Sequence, residues 1–291
     1  MNPEYPSGCK VNLVLNILGK RADGFHELET LMLPVNLCDT LQFEPLGQGG
    51  VAMTCSDPTL PTDSRNLVVR AATSFFAEAT ITEGVRIHLE KRIPMAAGLG
   101  GGSGNAATTL LGLNNLFGSP LSQEKQHQLA AALGSDIPFF LQKRPALAKG
   151  RGEIIEPLDP FASLKGAALV LIHPGFGIST PWAYQQLARF PEALNGRAGR
   201  AAEAARLFAT GDIASACKGL YNSLEAPALD KYPILALFQE FLRERGAVGA
   251  LMSGSGSTTF AITASVREGH DLAGAFREKF GETNWIEVVP C

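Results

Sequence analysis

Pro94-Met-Ala-Ala-Gly-Leu-Gly-Gly-Gly-Ser-Gly-Asn-Ala-Ala107 is the stretch of sequence that decides the fold. It holds five glycines between Gly98 and Gly104, and apolar residues then recur at helical spacing, at Ala106, Leu110, Leu113 and Phe117. Glycines let backbone N–H groups approach an anion closely, and the N-terminus of a helix adds a partial positive charge. The stretch therefore predicts a phosphate-binding loop at residues 98–104 that leads into a helix.

This loop differs from two common phosphate motifs, because neither GxxxxGK[ST] nor GxGxxG is present. A flexible surface loop is the competing interpretation. The proline before the loop and the regular apolar helix after it disfavour that interpretation, because both fix the ends of the segment.

Patterns on both sides of the loop predict an α+β protein. A strand at 9–17 alternates apolar residues with Lys10, Asn12 and Asn16, which puts an ammonium and two carboxamides on one face. Further strands are predicted at 40–44, 85–90, 167–173, 249–252, 258–263 and 285–289, and further helices at 66–79, 122–133, 182–190, 199–207 and 234–245. The sequence pattern changes near residue 155, so we expect two domains, 1–155 and 156–291, with a cleft between them.

The composition is that of an ordinary globular protein, with 45% hydrophobic residues, 18% charged residues and a net charge of -3. That charge argues against non-specific nucleic-acid binding, and no apolar run approaches the roughly 20 residues that span a bilayer. The five cysteines are scattered and form no CxxC pair, which predicts reduced thiols. We expect a cytoplasmic protein that binds neither nucleic acid nor membrane.

Three blocks of the chain resemble the GHMP kinase superfamily: Lys10-Val-Asn-Leu13, the 94–107 stretch, and Ser253-Gly-Ser-Gly-Ser-Thr258. The segment from Gly19 to Thr30 is similar to members whose substrate is an alcohol carrying a cytidine diphosphate group. The resemblance covers nearly the whole chain. It implies a two-domain GHMP kinase fold, with an N-terminal ribosomal-protein-S5-domain-2-like nucleotide-binding domain and a C-terminal ferredoxin-like α/β sandwich domain. It also implies ATP-dependent phosphorylation of a hydroxyl in isoprenoid precursor synthesis.

The resemblance assigns roles to single residues. Asp136 is expected to take the proton from the substrate hydroxyl, while Lys10 keeps that carboxylate ionised and steadies the reacting oxygen. The positions expected to bind ATP are Asn66, Lys91, Pro94, Gly98, Leu99, Gly100, Gly101, Gly102, Ser103 and Gly104, with the Ser103 hydroxyl available to Mg2+. The positions expected to bind the small cytidine diphosphate substrate are Asn12, Phe25, His26, Thr180 and Tyr184. The two aromatic rings would lie on opposite faces of the cytosine and the histidine would read its edge. We expect a monomer or a weak homodimer.

Three positions depart from the family pattern. Gly104 replaces a usual serine, Ser257 stands where proline is common and is expected to loosen its turn, and Phe25 stands where tyrosine is frequent. Two alternatives remain open: a GHMP kinase for another small alcohol, such as homoserine or a mevalonate derivative, and a non-catalytic nucleotide-binding or interaction protein on the same scaffold. The segment Gly24-Phe-His26 favours a cytidine substrate, and the presence of both Lys10 and Asp136 favours catalysis.

Overall fold

The computed structural model describes residues 4–291, and its mixture of helices and strands confirms the α+β class. Contacts divide the chain into two compact units. Unit 1 comprises the chain up to Cys9 together with Leu37–Pro94 and Gly100–Lys143, and unit 2 comprises Lys10–Asn36, Met95–Leu99 and Arg144–Cys291. The units alternate along the chain, so a single boundary at residue 155 stays a prediction; residues 1–3 of the predicted first domain lie outside the described part. Within residues 4–291, no helix combines the length and the apolar character needed to cross a membrane.

Unit 1 packs helices against one part of a sheet. Its elements are the start of β1 (Glu4–Lys20), the end of β2 (His26–Leu46), β3 (Gly50–Cys55), α1 (Leu67–Ala79), β4 (Gly84–Glu90), α2 (Gly101–Leu116) and α3 (Gln123–Leu133). Strand β4 pairs antiparallel with β2 and parallel with β3. The apolar faces of α1 and α2 bury a shared core that includes Phe75 and Leu110.

Helix α2 approaches the sheet most closely at Gly112. A Cβ at this position would lie 2.4 Å from Cε2 of Phe43, a ring that is itself buried. Protein cores are packed too densely to absorb an added methyl without movement of their neighbours. Glycine at this position therefore sets the distance between α2 and the sheet.

A buried carboxylate links three segments of unit 1. Asp39, on β2, has 0% of its surface exposed. Its Oδ1 accepts hydrogen bonds from the backbone N–H groups of Arg92 at 2.8 Å and Ile93 at 2.9 Å. Its Oδ2 accepts from Nζ of Lys91 and, at 2.9 Å, from Nδ2 of Asn105. A buried carboxylate persists only when it is paired and hydrogen-bonded, so these contacts fix β2, the segment after β4 and the N-terminal part of α2 together.

Beyond its parts of β1 and β2, the strands of unit 2 are β5 (Ala146–Gly150), β6 (Ile154–Pro157), β7 (Ala168–His173), β8 (Tyr221–Asn222), β9 (Gly249–Met252), β10 (Thr259–Thr263) and β11 (Trp285–Pro290). Four of them form an antiparallel sheet in the order β11-β7-β10-β9. The helices of unit 2 are α4 (Thr180–Gln186), α5 (Pro191–Leu194), α6 (Arg200–Thr210), α7 (Ile213–Cys217), α8 (Glu225–Lys231), α9 (Ile234–Glu244) and α10 (Val266–Phe280). Strand β5 pairs with β2 and β6, and β8 pairs parallel with β1. An aromatic cluster from α9 and α10, which includes Phe238 and Phe276, packs with the buried residues of this sheet.

The structure corrects three expectations about these elements. Helix α2 begins at Gly101, so residues 101–104 of the predicted 98–104 loop form the first turn of the helix. Strand β2 is 21 residues long, whereas the sequence pattern predicts a strand at 40–44 alone. Helix α10 was not predicted, although Ser265 and Glu268 have the spacing of a capping box; Ser265 accepts from the N–H of Glu268, and Glu268 accepts from the N–H of Ala264.

Gly112→Ala is expected to lower the urea midpoint of unfolding. Overpacking a core destabilises by about 1–3 kcal/mol, which exceeds the gain of up to about 1 kcal/mol from the higher helix propensity of alanine. The matched control is Gly274→Ala in α10, because, apart from the neighbouring residues and backbone of the helix itself, no atom of the described residues lies within 4 Å of the Cβ position there. The control should raise the midpoint. Equal stabilisation of both variants would contradict the close approach at Gly112.

Candidate active site

Lys10 lies on β1 in unit 2, and only 3% of its surface is exposed. Its Nζ donates to Oδ1 of Asn12 at 2.5 Å and to the carbonyl oxygen of Gly98 at 3.0 Å. Asn12 in turn donates from Nδ2 to Oγ1 of Thr30 at 2.8 Å, which orients its amide oxygen towards the lysine. Burial of an ammonium group is unfavourable unless the site is built to receive it. The contact between Lys10 and Asn12 agrees with the alternation that placed them on one face.

The turn between β9 and β10, residues 253–258, packs on the segment before α2. Ser253 donates from Oγ to the carbonyl oxygen of Gly98 at 2.9 Å and accepts from the N–H of Asn12 at 3.3 Å. The N–H of Thr258 donates to the carbonyl oxygen of Ala97 at 3.1 Å. Gly98 has φ +75°, and a Cβ there would lie 2.0 Å from the carbonyl oxygen of Ser253, so the contact requires glycine.

The start of α2, in unit 1, has the features of an anion site. Gly100 is its N-cap with φ 69°; within the described chain no side chain caps this end, and its first turn carries no acidic residue. The N–H of Gly104 donates to the carbonyl oxygen of Gly100 at 2.9 Å, which leaves the N–H groups of Gly101, Gly102 and Ser103 at the positive end of the helix. A phosphate at this end would meet backbone donors and the Ser103 hydroxyl.

Gly104, one of the departures from the family pattern, has a structural reason. A Cβ at this position would lie 2.4 Å from the carbonyl oxygen of Gly8 and 3.3 Å from Oγ of Ser7. A serine at 104 would therefore require β1 to begin along a different path. Position 104 therefore lacks the hydroxyl of a serine because α2 and β1 approach each other closely there.

The residues expected near the nucleotide already have partners in unit 1. Asn66 is the N-cap of α1, where its Oδ1 accepts from the N–H of Val68 at 3.0 Å. Lys91 is paired with Asp39, and Pro94 follows the anchored segment 91–93. These contacts give Asn66 and Lys91 structural roles, and their part in ATP binding stays a prediction.

Asp136 lies in unit 1, in the loop between α3 and a short 3-10 helix, Pro138–Leu141. Its side chain is half-buried, and the loop is closed by a hydrogen bond from the N–H of Ile137 to the carbonyl oxygen of Gly134 at 3.2 Å. A carboxylate held in a short closed loop is suited to meet a substrate hydroxyl. Its role as general base stays a prediction.

The aromatic residues expected at the cytosine make contacts of their own in unit 2, and their stacking on a base stays a prediction. The rings of His26 and Tyr184 contact each other, with centroids 5.1 Å apart and planes at 38°. Phe25 is 51% exposed, and the guanidinium of Arg151 lies 4.7 Å from its ring centroid. Burial, with a smaller contribution from the charge of Lys20, lowers the pKa of His26 and so favours the neutral ring, which offers one donor and one acceptor.

Thr180 contacts the 253–258 turn, and Ser257 is part of that turn. Oγ1 of Thr180, the first residue of α4, lies 2.8 Å from Oγ of Ser255. Ser257 is fully buried, and its hydroxyl donates to the carbonyl oxygen of Phe176. This hydrogen bond attaches the turn to a neighbouring segment and so counts against a looser turn, and the effect of Ser257 in place of proline stays a prediction.

Sequence reasoning did not single out Asp39, Arg151 or Asn222, which hold or contact the residues above. A signal for Asp39 was present, because it alternates with Leu37 and Leu41 on the apolar face of β2. An acidic residue in an apolar series of period two indicates a buried and paired carboxylate. No comparable pattern marks Arg151 or Asn222.

The sequence matches known proteins over most of its length. Residues 66–144 match the family model of the GHMP kinases N terminal domain, and residues 201–283 match that of the GHMP kinases C terminal domain. A 4-diphosphocytidyl-2-C-methyl-D-erythritol kinase from Pelotomaculum thermopropionicum is 41% identical, over 92% of this chain and 92% of that protein.

Solved structures agree with these matches. A crystal structure of 4-(cytidine 5'-diphospho)-2C-methyl-D-erythritol kinase superposes with a TM-score of 0.81 at 35% identity, covering 99% of this chain and 100% of that one. A homoserine kinase from Cytophaga hutchinsonii superposes with a TM-score of 0.73 at 19% identity, over 97% of this chain and 94% of that one, which shows a shared fold alone. The predicted GHMP kinase fold is confirmed, and the chain belongs to the 4-diphosphocytidyl-2-C-methyl-D-erythritol kinase family of the GHMP kinases.

Proposed function

We propose that this kinase transfers the γ-phosphate of ATP to the 2-hydroxyl of 4-diphosphocytidyl-2-C-methyl-D-erythritol, giving the 2-phosphate and ADP in the non-mevalonate route to isoprenoids. The observation that carries the proposal is the buried ammonium of Lys10, held between Asn12 and Gly98. A buried positive charge is suited to stabilise an oxygen that becomes negative during the reaction. The names of the 41% and 35% identical relatives supply the substrate.

In this proposal Asp136 and Lys10 have separate tasks. Asp136 accepts the proton of the tertiary hydroxyl as the oxygen attacks the γ-phosphorus, and Lys10 stabilises the negative charge on the reacting oxygens. Phosphoryl transfer asks for little covalent chemistry from the protein, so these two groups act mainly by position and charge. Asn12 supports the reaction by orienting Lys10.

The start of α2 is proposed to hold the ATP phosphates through the N–H groups of its first turn, with Gly98 and Leu99 preceding it in the chain. Mg2+ would be held by phosphate oxygens and the Ser103 hydroxyl, where it would neutralise charge on the phosphates. A hydroxyl oxygen is a ligand type that Mg2+ accepts, so this donor set fits the ion. Asn66, Lys91 and Pro94 remain proposed neighbours of the nucleotide; any contact from Lys91 must use a proton that is not directed at Asp39.

The cytosine is proposed to stack on Tyr184 and Phe25 while His26 reads its polar edge, with Thr180 close by in α4. Two features support this proposal: Phe25 is a large exposed ring, and His26 lies against Tyr184 where its neutral form is favoured. Because His26 now occupies one side of Tyr184, the base would use the other side of that ring or displace the imidazole. Arg151, over the Phe25 ring, would then stand beside the bound nucleotide.

The protein is further proposed to be a cytoplasmic monomer or weak homodimer that binds no nucleic acid. Its five cysteines are all free thiols, which supports a reducing compartment. The net charge of -3 supports the absence of a nucleic-acid partner.

Incubation of the purified protein with ATP, Mg2+ and 4-diphosphocytidyl-2-C-methyl-D-erythritol, followed by 31P NMR, tests the reaction. A new phosphomonoester resonance in equal amount with ADP is expected, and none with homoserine or mevalonate. Asp136→Asn should lower kcat by roughly 10²–10⁴-fold at unchanged ATP affinity, because the carboxylate acts on the acceptor. The control is Asp271→Asn, which changes an exposed residue of α10 and should leave turnover unchanged. Phosphorylation of another alcohol, or near-normal turnover by Asp136→Asn, would contradict the proposal.

Tyr184→Ala is expected to raise the KM of the cytidine substrate by roughly 5–150-fold at similar ATP KM, because stacking of a base on a ring is worth about 1–3 kcal/mol. His26→Ala should narrow the preference for this substrate over its uridine analogue. Tyr5→Ala serves as the control. Tyr5 is also a half-buried ring, but it packs on Phe43 in unit 1 and is not proposed to bind the cytidine substrate. If Tyr184→Ala weakens the binding of ATP and of the cytidine substrate equally, the ring is part of the core and not of a cytosine site.

A further inference from the structure

Asn222 belongs to a segment that is attached to the strand carrying Lys10. Strand β8 pairs parallel with β1 so that Asn222 lies beside Leu15. The N–H of Ser223 donates to the carbonyl oxygen of Leu15 at 2.8 Å, and its Oγ accepts from the N–H of Ile17 at 3.0 Å. The backbone on both sides of Asn222 is therefore fixed to β1.

The side chain of Asn222 reaches away from β1 to the 253–258 turn. Its Nδ2 donates to the carbonyl oxygens of Met252 at 2.7 Å and Gly254 at 2.8 Å, and its Oδ1 accepts from the N–H of Leu224 at 2.9 Å. Only 3% of Asn222 is exposed. An amide supplies two donors and an acceptor in one plane, a combination that aspartate or leucine of similar size lacks.

The turn held by Asn222 contacts the site of Lys10. Between the two carbonyl groups lies Ser253, whose Oγ donates to the carbonyl oxygen of Gly98, and the same oxygen accepts from Nζ of Lys10. Gly254 has φ +57°, and a Cβ there would lie 2.9 Å from the carbonyl oxygen of Gly98 and 3.2 Å from Nζ of Lys10. The turn therefore packs directly on the ammonium group.

These contacts form a closed ring within unit 2. Strand β1 holds the segment of Asn222, Asn222 holds the 253–258 turn, the turn contacts Gly98, and Gly98 accepts from Lys10, which is again on β1. We propose that Asn222 is a positioning residue, which holds the turn against Gly98 and thereby fixes the ammonium of Lys10 for phosphoryl transfer. This inference rests on the proposed function. Asn222 itself does not touch the reacting atoms in this scheme. Its effect reaches the reaction through the carbonyl groups of Met252, at the end of β9, and Gly254, in the turn.

Asn222→Ala should lower kcat roughly 10–100-fold, because small displacements of a reacting group have effects of this size, while the KM of both substrates changes by less than about threefold. The matched control is Asn114→Ala in unit 1, where a buried amide also bonds backbone, donating to the carbonyl oxygen and accepting from the N–H of Leu121 at 3.1 and 2.9 Å. The control should lose comparable thermal stability and keep kcat. Normal kcat in folded Asn222→Ala, or equal loss of kcat in both variants, would overturn the proposal.

Asn222→Asp gives a second readout that a purely structural role would not produce. An ionised carboxylate cannot donate to the two carbonyl groups, whereas a protonated one can donate to one of them, and burial raises a carboxyl pKa. The ratio of the variant's kcat to that of the unaltered enzyme should therefore rise as the pH falls from about 8 to about 5.5. A ratio that stays flat while the variant remains folded would overturn the proposal. Failure of the unaltered enzyme to phosphorylate the cytidine substrate would instead count against the proposed function.

Discussion

The carboxylate of Asp39 is the interaction on which the proposed phosphate site depends. It is fully buried, and it is satisfied by one ammonium, one amide and two backbone N–H groups that come from two separate segments of unit 1. Loss of any of these donors would leave a charge in a medium of low dielectric, so the segments must keep their places together. The start of α2 is thereby fixed, and with it the N–H groups of its first turn, which we propose to hold the ATP phosphates.

Unit 2 uses the same principle around Lys10. The ammonium is held by oxygen atoms of Asn12 and Gly98, and the Gly98 carbonyl is shared with Ser253. Glycines with positive φ occur where two backbones must touch, at Gly98 and at Gly254. Glycine is needed at these points because a side chain would separate the backbones that position the charge.

The sequence was sufficient for several of the elements that follow a regular period, although α10 and most of β2 were missed. Alternation placed Lys10 beside Asn12, and helical spacing predicted α2, although its first turn was mistaken for loop because glycine is a poor helix former. The contact of His26 with Tyr184 was beyond prediction, because it joins residues 158 positions apart through tertiary packing alone (184 minus 26). Asn222 was missed for another reason: a single asparagine near turns is usual, and only the carbonyl groups that it meets give it a role.

A double-mutant cycle on Asp39 and Lys91, measured by urea unfolding, tests the central claim most directly. Asp39→Asn and Lys91→Met should each destabilise unit 1 by about 3–5 kcal/mol, because each leaves one buried charge without its partner. The double variant removes both charges, so its free energy of unfolding should be no lower than that of the less stable single variant. A double variant whose loss of stability equals the sum of the two single losses would contradict the account, because the two groups would then act independently.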